Sequence, residues 1–91
     1  MNKKMIIALV EDFDSTSVLT SMHEAGFPVT RIDSSGTLLR SGTSTLIAAV
    51  DAVDVDGVIK LINQDCSPSA NPFKKKTTIM VFDLEHFELI L

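Results

Sequence analysis

Four runs of apolar residues in the chain have the length and composition of β-strands. The first and third runs are apolar at every position, which is typical of strands buried on both faces. The second run alternates between apolar and polar residues, and the fourth is apolar over its second half. The predicted strands are Met5–Val10, Phe27–Ile32, Leu46–Val50 and Thr77–Phe82.

Two segments between these runs carry apolar residues at helical spacing instead. We expect Asp14 to be the N-cap of the first helix, with Gly26 at its C′ position and Pro28 as a stop. The apolar positions are Val18, Leu19, Met22 and Ala25 in the first helix, and Val55, Val58, Ile59 and Ile62 in the second. The resulting order, βαββαβ, is the ferredoxin-like unit, an α+β fold with a four-stranded antiparallel sheet. Residues 1–91 are expected to form one domain.

The two-faced apolar strands predict self-association. Two helices cover only one face of a four-stranded sheet, so the other face would expose roughly several hundred Å² of apolar surface in a lone chain. A second copy of the chain is the simplest cover, because most soluble oligomers are symmetric homo-oligomers. The apolar tail from Phe87 to Leu91 would add to the same contact.

Composition narrows the classes of partner. The net charge is −4 and the calculated pI is about 4.9, which argues against a nucleic-acid or membrane partner. The apolar runs are far shorter than a membrane span and do not resemble a signal peptide. We therefore expect a cytoplasmic protein.

Between the second and third predicted strands lies a connector (residues 33–45) that favours a small polar ligand. It contains Gly36, Gly42 and Arg40, and its hydroxyl side chains include those of Ser34, Ser35, Thr37, Ser41 and Thr43. Glycines allow close backbone approach, and the hydroxyl and guanidinium groups supply hydrogen-bond donors. A solvated hairpin loop uses the same residue types, so composition leaves both interpretations open.

Metal-ion and catalytic motifs are weak. Asp51, Asp54 and Asp56 are not spaced as in an EF-hand, and a helix start with capping acids explains them better. His23 has no second histidine or cysteine at metal-ligand spacing, and the same holds for His86. The serines lack a nucleophile-elbow motif. We expect no metal, no cofactor and no enzymatic activity.

Three segments resemble the PII-like cyclic di-AMP receptors (the PstA or DarA family). They are Lys4–Ser15, the run Ser34-Ser-Gly-Thr-Leu-Leu-Arg-Ser-Gly-Thr-Ser-Thr45, and the ending Thr78–Phe87, together with Phe27 followed by Thr30-Arg31. The resemblance implies a ferredoxin-like protomer assembled as a homotrimer that binds a small nucleotide, cyclic di-AMP, between subunits. It also implies relay of the signal to a protein target, whose identity the sequence does not give.

The resemblance carries the family's ligand-binding positions onto this chain. The corresponding residues are Thr30, Gly36, Thr37, Leu38, Leu39, Arg40, Thr43, Ala49 and Met80. Thr30 and Thr43 would hydrogen-bond a base or phosphate, the backbone of residues 36–39 would cradle the ligand, and Arg40 would supply charge or an intersubunit ion pair.

Several of these positions depart from the family pattern. Pro28 replaces a basic residue, Thr37 a glycine and Leu38 a phenylalanine. Thr43 replaces a family asparagine, Ala49 replaces a glycine and Met80 replaces an aromatic residue. The loop from Ser67 to Lys76 is also shorter than in the family. Two hypotheses follow: a nucleotide-sensing regulator, or a ligand-free trimeric interaction protein.

Overall fold

The computed structural model describes residues 2–32, 42–66 and 77–85. Four strands, two α-helices and one short 3₁₀ turn are found in this part of the chain. In chain order they are β1 (Lys3–Glu11), α1 (Asp12–Glu24), β2 (Thr30–Ile32), β3 (Thr43–Asp51), the 3₁₀ turn (Ala52–Asp54), α2 (Val55–Asp65) and β4 (Thr78–Leu84). The predicted βαββαβ order is confirmed.

The strands form one antiparallel sheet in the order β2-β3-β1-β4. In the centre of the sheet Ile7 pairs with Ile47 on one side and with Met80 on the other. At the β2 edge Thr30 pairs with Ile47. Two central strands flanked by two edge strands, with both crossovers helical, give the ferredoxin-like α+β architecture that the sequence predicted.

Helix α1 begins two residues before the predicted N-cap. Asp12 is its first residue, Glu11 precedes it without a side-chain cap, and Asp14 lies inside the first turn. The Ser15 hydroxyl donates to the backbone carbonyl of Asp12 at 2.8 Å, so the polar side chains bond within the turn instead of capping it.

The end of α1 is where the sequence placed it. Gly26 has a φ of +86°, and its N–H donates to the carbonyl of His23 while the N–H of Phe27 donates to that of Met22. These two bonds form a Schellman motif, which requires a residue with positive φ at the C′ position. The motif turns the chain towards β2.

The predicted bounds of the two strands flanking the connector were wrong. β2 starts at Thr30 and not at Phe27, since Pro28 has no N–H for the ladder. β3 starts at Thr43 and not at Leu46, because residues 43–45 continue the antiparallel pairing with β1. The hydroxyl-rich end of the connector is therefore strand and not loop.

The hydrophobic core lies between one face of the sheet and the two helices. Ile6, Ala8 and Val10 of β1 are each only 1% exposed, and Val18 and Val58 of the helices are fully buried. The other buried core residues are Met22, Leu46, Ala48, Val50, Ile62 and Cys66. Cys66 is a free thiol within this core. No helix among the described residues is both long enough and apolar enough to cross a bilayer.

Candidate ligand-binding face

The face of the sheet that carries no helix is also apolar. Residues paired directly across antiparallel strands share a face, so the register assigns the side chains to it. Its apolar members are Met5, Ile7, Leu9, Ile32, Ile47, Ala49, Met80, Phe82 and Leu84. We call this side of the sheet, with all residues in register with it, the helix-free face.

Solvent exposure differs between the two faces in the central strand β1, where Ile6 on the helix-facing side is 1% exposed and Ile7 is half-buried. At the β4 edge both faces are exposed: Val81, in register with Ile6, is 41% exposed, and Met80 and Phe82 on the other face are 36% and 45% exposed. Exposed apolar residues beside a half-buried apolar strand form the kind of patch that usually marks an interaction surface.

All four described ligand-binding candidates lie in register with this face. Thr43 and Ala49 belong to β3, two positions along from Thr45 and Ile47 respectively, and side chains two apart on a strand share a face. Thr30 pairs with Ile47 and Met80 pairs with Ile7, so both side chains lie on the same face as these isoleucines. Residues 36–40, the remaining candidates, lie outside the described residues.

The four candidates do not converge within one protomer. Thr30 is on the β2 edge and Met80 on the β4 edge, so two strands lie between them. Three strand spacings separate the two residues by about 14 Å. Thr43 and Ala49 are six positions apart on β3, or about 20 Å. One small ligand cannot touch all four residues of a single chain.

A candidate that sequence reasoning missed is Thr45. It lies on β3 between Thr43 and Ile47, pairs with Leu9 and Ile32, and is only 9% exposed. Its hydroxyl is buried and has no hydrogen-bond partner within the described ranges of the chain. The alternation of side chains along β3 could have shown on which face Thr45 lies. Whether its hydroxyl finds a hydrogen-bond partner depends on neighbours from other strands, which the sequence pattern does not show.

Both ends of the connector are bonded to the first turn of α1. On one side, the Arg31 guanidinium donates to the Ser15 hydroxyl at 3.3 Å. On the other, the Asp12 N–H donates to the carbonyl of Gly42 at 2.7 Å, and the Ser44 hydroxyl donates to the Asp12 carboxylate.

The hydroxyl groups of this cluster are buried. Ser15 is fully buried and Ser44 is 3% exposed, whereas the Asp12 side chain that accepts from Ser44 belongs to an exposed residue. Buried polar groups are costly unless they are hydrogen-bonded. These residues therefore fix the two points at which the connector leaves and rejoins the sheet, beside α1.

Two open depressions lie away from the candidate residues. One, of about 580 Å³, is lined by Leu19, Thr20, His23, Glu24, Pro28 and Val29. The other, of about 310 Å³, is lined by Asn2, Asp51, Ala52 and Val53. Neither contains Thr30, Thr43, Ala49 or Met80.

The described residues also contain no group of three or more histidine, cysteine or carboxylate side chains arranged to hold a metal ion. Asp51 lies next to Lys3, with 2.9 Å between Oδ1 and Nζ. Asp54 and Asp56 are at the start of α2, where acidic side chains favour the positive end of the helix. His86 is outside the described residues.

Comparison with known proteins agrees with the fold. A solved structure, "The crystal structure of a functionally unknown protein from Pediococcus pentosaceus ATCC 25745", superposes with a TM-score of 0.80 over 99% of each chain at 22% identity. At that identity the likeness establishes the fold alone. The sequence itself matches the model of the cyclic-di-AMP receptor family over residues 3–81. The chain therefore belongs to the cyclic-di-AMP receptor family.

Proposed function

We propose that this protein is a non-enzymatic signalling receptor that binds cyclic di-AMP, or a closely related nucleotide, in clefts between the subunits of a homotrimer. Membership of the receptor family supports a ligand-binding role. The proposal adds where the ligand lies, how the subunits contribute to the site, and that ligand binding is relayed to a protein partner.

The observation that carries the proposal is the position of the candidates at opposite edges of one apolar face. Thr30 at the β2 edge and Met80 at the β4 edge contribute to one site only if they come from different chains. A neighbouring subunit that covers the helix-free face brings a second β4 edge towards the first β2 edge. Assembly thus hides the apolar surface and creates the cleft in the same step.

The chemical groups suit a nucleotide. Thr30 and Thr43 offer hydroxyls, and Ile47 and Met80 offer apolar surface for a base. Arg40, outside the described residues, would supply positive charge for a phosphate. Arg31 is not assigned this role, because its guanidinium donates to Ser15.

A titration calorimetry experiment tests ligand binding. We expect cyclic di-AMP to give a saturable signal with one ligand per subunit, and cyclic di-GMP to bind more weakly because its base edges carry different donors and acceptors. Sedimentation of the same sample should give the mass of three chains. Absence of saturable binding by any adenine nucleotide would contradict the proposal.

One observation favours a second function, a ligand-free trimeric interaction protein. Pro28 stands where the family offers a basic residue, and it lies exposed beside His23 and Glu24. Loss of a charge-assisted hydrogen bond costs roughly 1.5–3 kcal/mol. A trimeric mass without any nucleotide binding would support this alternative.

Arg40 tests the charge assigned to the connector. Replacement by Ala is expected to weaken nucleotide binding or the trimer, since the guanidinium would no longer meet a phosphate or an intersubunit carboxylate. Unchanged mass together with an unchanged titration curve would remove Arg40 from both roles.

A further inference from the structure

The helix-free face contains one buried polar atom that the proposed site does not yet use, the hydroxyl of Thr45. Its oxygen is inaccessible to solvent and has no hydrogen-bond partner among the residues that the structure describes. Nearly all buried polar side-chain atoms in native proteins are paired, so an exception needs an explanation. A hydroxyl without a partner in this part of the chain is available to a partner in a bound or assembled state.

The position of Thr45 indicates which state. Thr43 and Ala49, both ligand-binding candidates, lie on the same strand and face, with Thr45 and Ile47 between them. A ligand that contacts Thr43 or Ala49 and extends along β3 meets Thr45 or Ile47 next, because side chains two apart on a strand share a face. Thr30 pairs with Ile47 and is thus the diagonal neighbour of Thr45, about 7 Å away.

The surroundings of the hydroxyl distinguish a base from a phosphate. Leu9 and Ile32 flank Thr45 across the sheet, and both are apolar. Of the described strand residues in register with this face, the basic one is Lys3, which lies at the far end of β1 beside Asp51. An uncharged hydroxyl between apolar side chains suits the edge and face of a heteroaromatic base, whereas a phosphate calls for a cation.

Access to the hydroxyl does not require the strands to separate. Ile32, across from Thr45, is 44% exposed, and Thr43 is only half-buried. Rotation of such a partly exposed side chain opens a path to the Thr45 oxygen on the nanosecond scale or faster.

We infer that Thr45 is a ligand-binding residue whose hydroxyl hydrogen-bonds the base of the nucleotide, beside Thr43 on the same face of β3. This inference rests on the proposed function. It assigns base recognition to this strand.

The test compares two substitutions of Thr45 by calorimetric titration with cyclic di-AMP. Thr45→Val keeps the shape and strand preference but removes the hydroxyl, and we expect the Kd to rise about tenfold. Thr45→Ser keeps the hydroxyl, so its Kd should stay within about threefold of wild type. Thr16→Val makes the same change on the exposed surface of α1 and should leave the Kd unchanged.

Thermal unfolding without ligand supplies the second measurement. Because the hydroxyl has no partner to lose among the described residues, the Tm of Thr45→Val should equal or exceed that of wild type. Equal affinity of Thr45→Val and wild type would overturn the inference and leave the proposed function standing. A lower Tm or a lost trimer with unchanged affinity would assign the hydroxyl to a neighbouring subunit, which also overturns it. If wild type itself binds no adenine nucleotide, the proposed function fails and this inference fails with it.

Discussion

The two faces of the sheet use similar residues but are covered to different degrees. Within β1, Ile6 faces the helices and is 1% exposed, whereas its neighbour Ile7 on the helix-free face is half-buried. A difference in composition does not explain this, since both residues are isoleucine. The helix-facing side is completed by α1 and α2 of the same chain, and the helix-free side has an apolar surface that nothing in the chain's described residues closes.

This contrast separates the residues that stabilise the fold from those proposed to take part in association and ligand binding. On the helix-facing side, Val18 and Met22 of α1 meet Ile6 in one continuous core. On the helix-free face, apolar residues alternate with threonines at positions 43, 45 and 78. A core gains little from hydroxyl groups, but a surface that both associates and binds a polar ligand needs them.

The largest effect is expected from a charge placed on the helix-free face. If the proposed trimer forms through this face, Ile7→Asp should dissociate it into monomers, because each assembly would otherwise bury three unpaired carboxylates. Sedimentation at several concentrations measures the mass, and circular dichroism checks that the monomer retains its helices.

The control for that variant is Thr16→Asp, which adds the same charge on the exposed side of α1. It should leave the mass unchanged. An Ile7→Asp protein with the mass of wild type would show that the helix-free face is not the contact between subunits.

A smaller effect is expected when Ile6 and Ile7 are truncated and the free energies of unfolding of the two variants are compared. Ile6→Ala should lower the free energy of unfolding by about 2–5 kcal/mol at every protein concentration, since it leaves a cavity in the core. Ile7→Ala should act through association instead, so its effect should depend on protein concentration. Denaturant unfolding at two concentrations tests both. Equal, concentration-independent losses would erase the distinction between the faces.

The polar cluster beside the connector should have an intermediate effect. Ser15→Ala removes the hydroxyl that accepts from Arg31 and donates to the Asp12 carbonyl. We expect a loss of about 1–3 kcal/mol in the free energy of unfolding, because the variant loses two hydrogen bonds of about 0.5–1.5 kcal/mol net each. Ser17→Ala, on the exposed side of α1, is the control and should change little. A neutral Ser15→Ala would mean that the cluster does not anchor the connector.

The smallest effects on the free energy of unfolding are expected from two surface ion pairs, one on each face of the sheet. Lys4 pairs with Asp83, whose side chain is 80% exposed, in register with the helix-facing side. Lys3 and Asp51 lie in register with the helix-free face. Asp83→Ala should cost under about 0.5 kcal/mol, as exposed pairs do.

Asp51→Ala should cost more than Asp83→Ala if a neighbouring subunit shields its ion pair from solvent, and the difference should persist in high salt. Chemical denaturation at low and high ionic strength measures it. Equal and fully salt-screened effects would place both pairs in open solvent.

The sequence by itself determined the order of elements and the two-faced character of the sheet. Continuous apolar runs predict strands with both faces apolar, and helical spacing around Val18 and Val58 identified the helices that cover one of them. Gly26 marked the end of α1 because few other residues adopt its positive φ.

Only the tertiary structure decided the register of the strands, and with it which candidate residues lie close together. The hydroxyl-rich sequence around Thr43 predicts a loop, but Thr43 pairs with Glu11 and is therefore part of β3. The separation of Thr30 from Met80 follows from the strand order, which no local pattern encodes. The isolation of the Thr45 hydroxyl likewise arises from neighbours on other strands. Hydrophobic periodicity is a local property of the chain, whereas proximity and hydrogen-bond partners are set by contacts between residues distant in sequence.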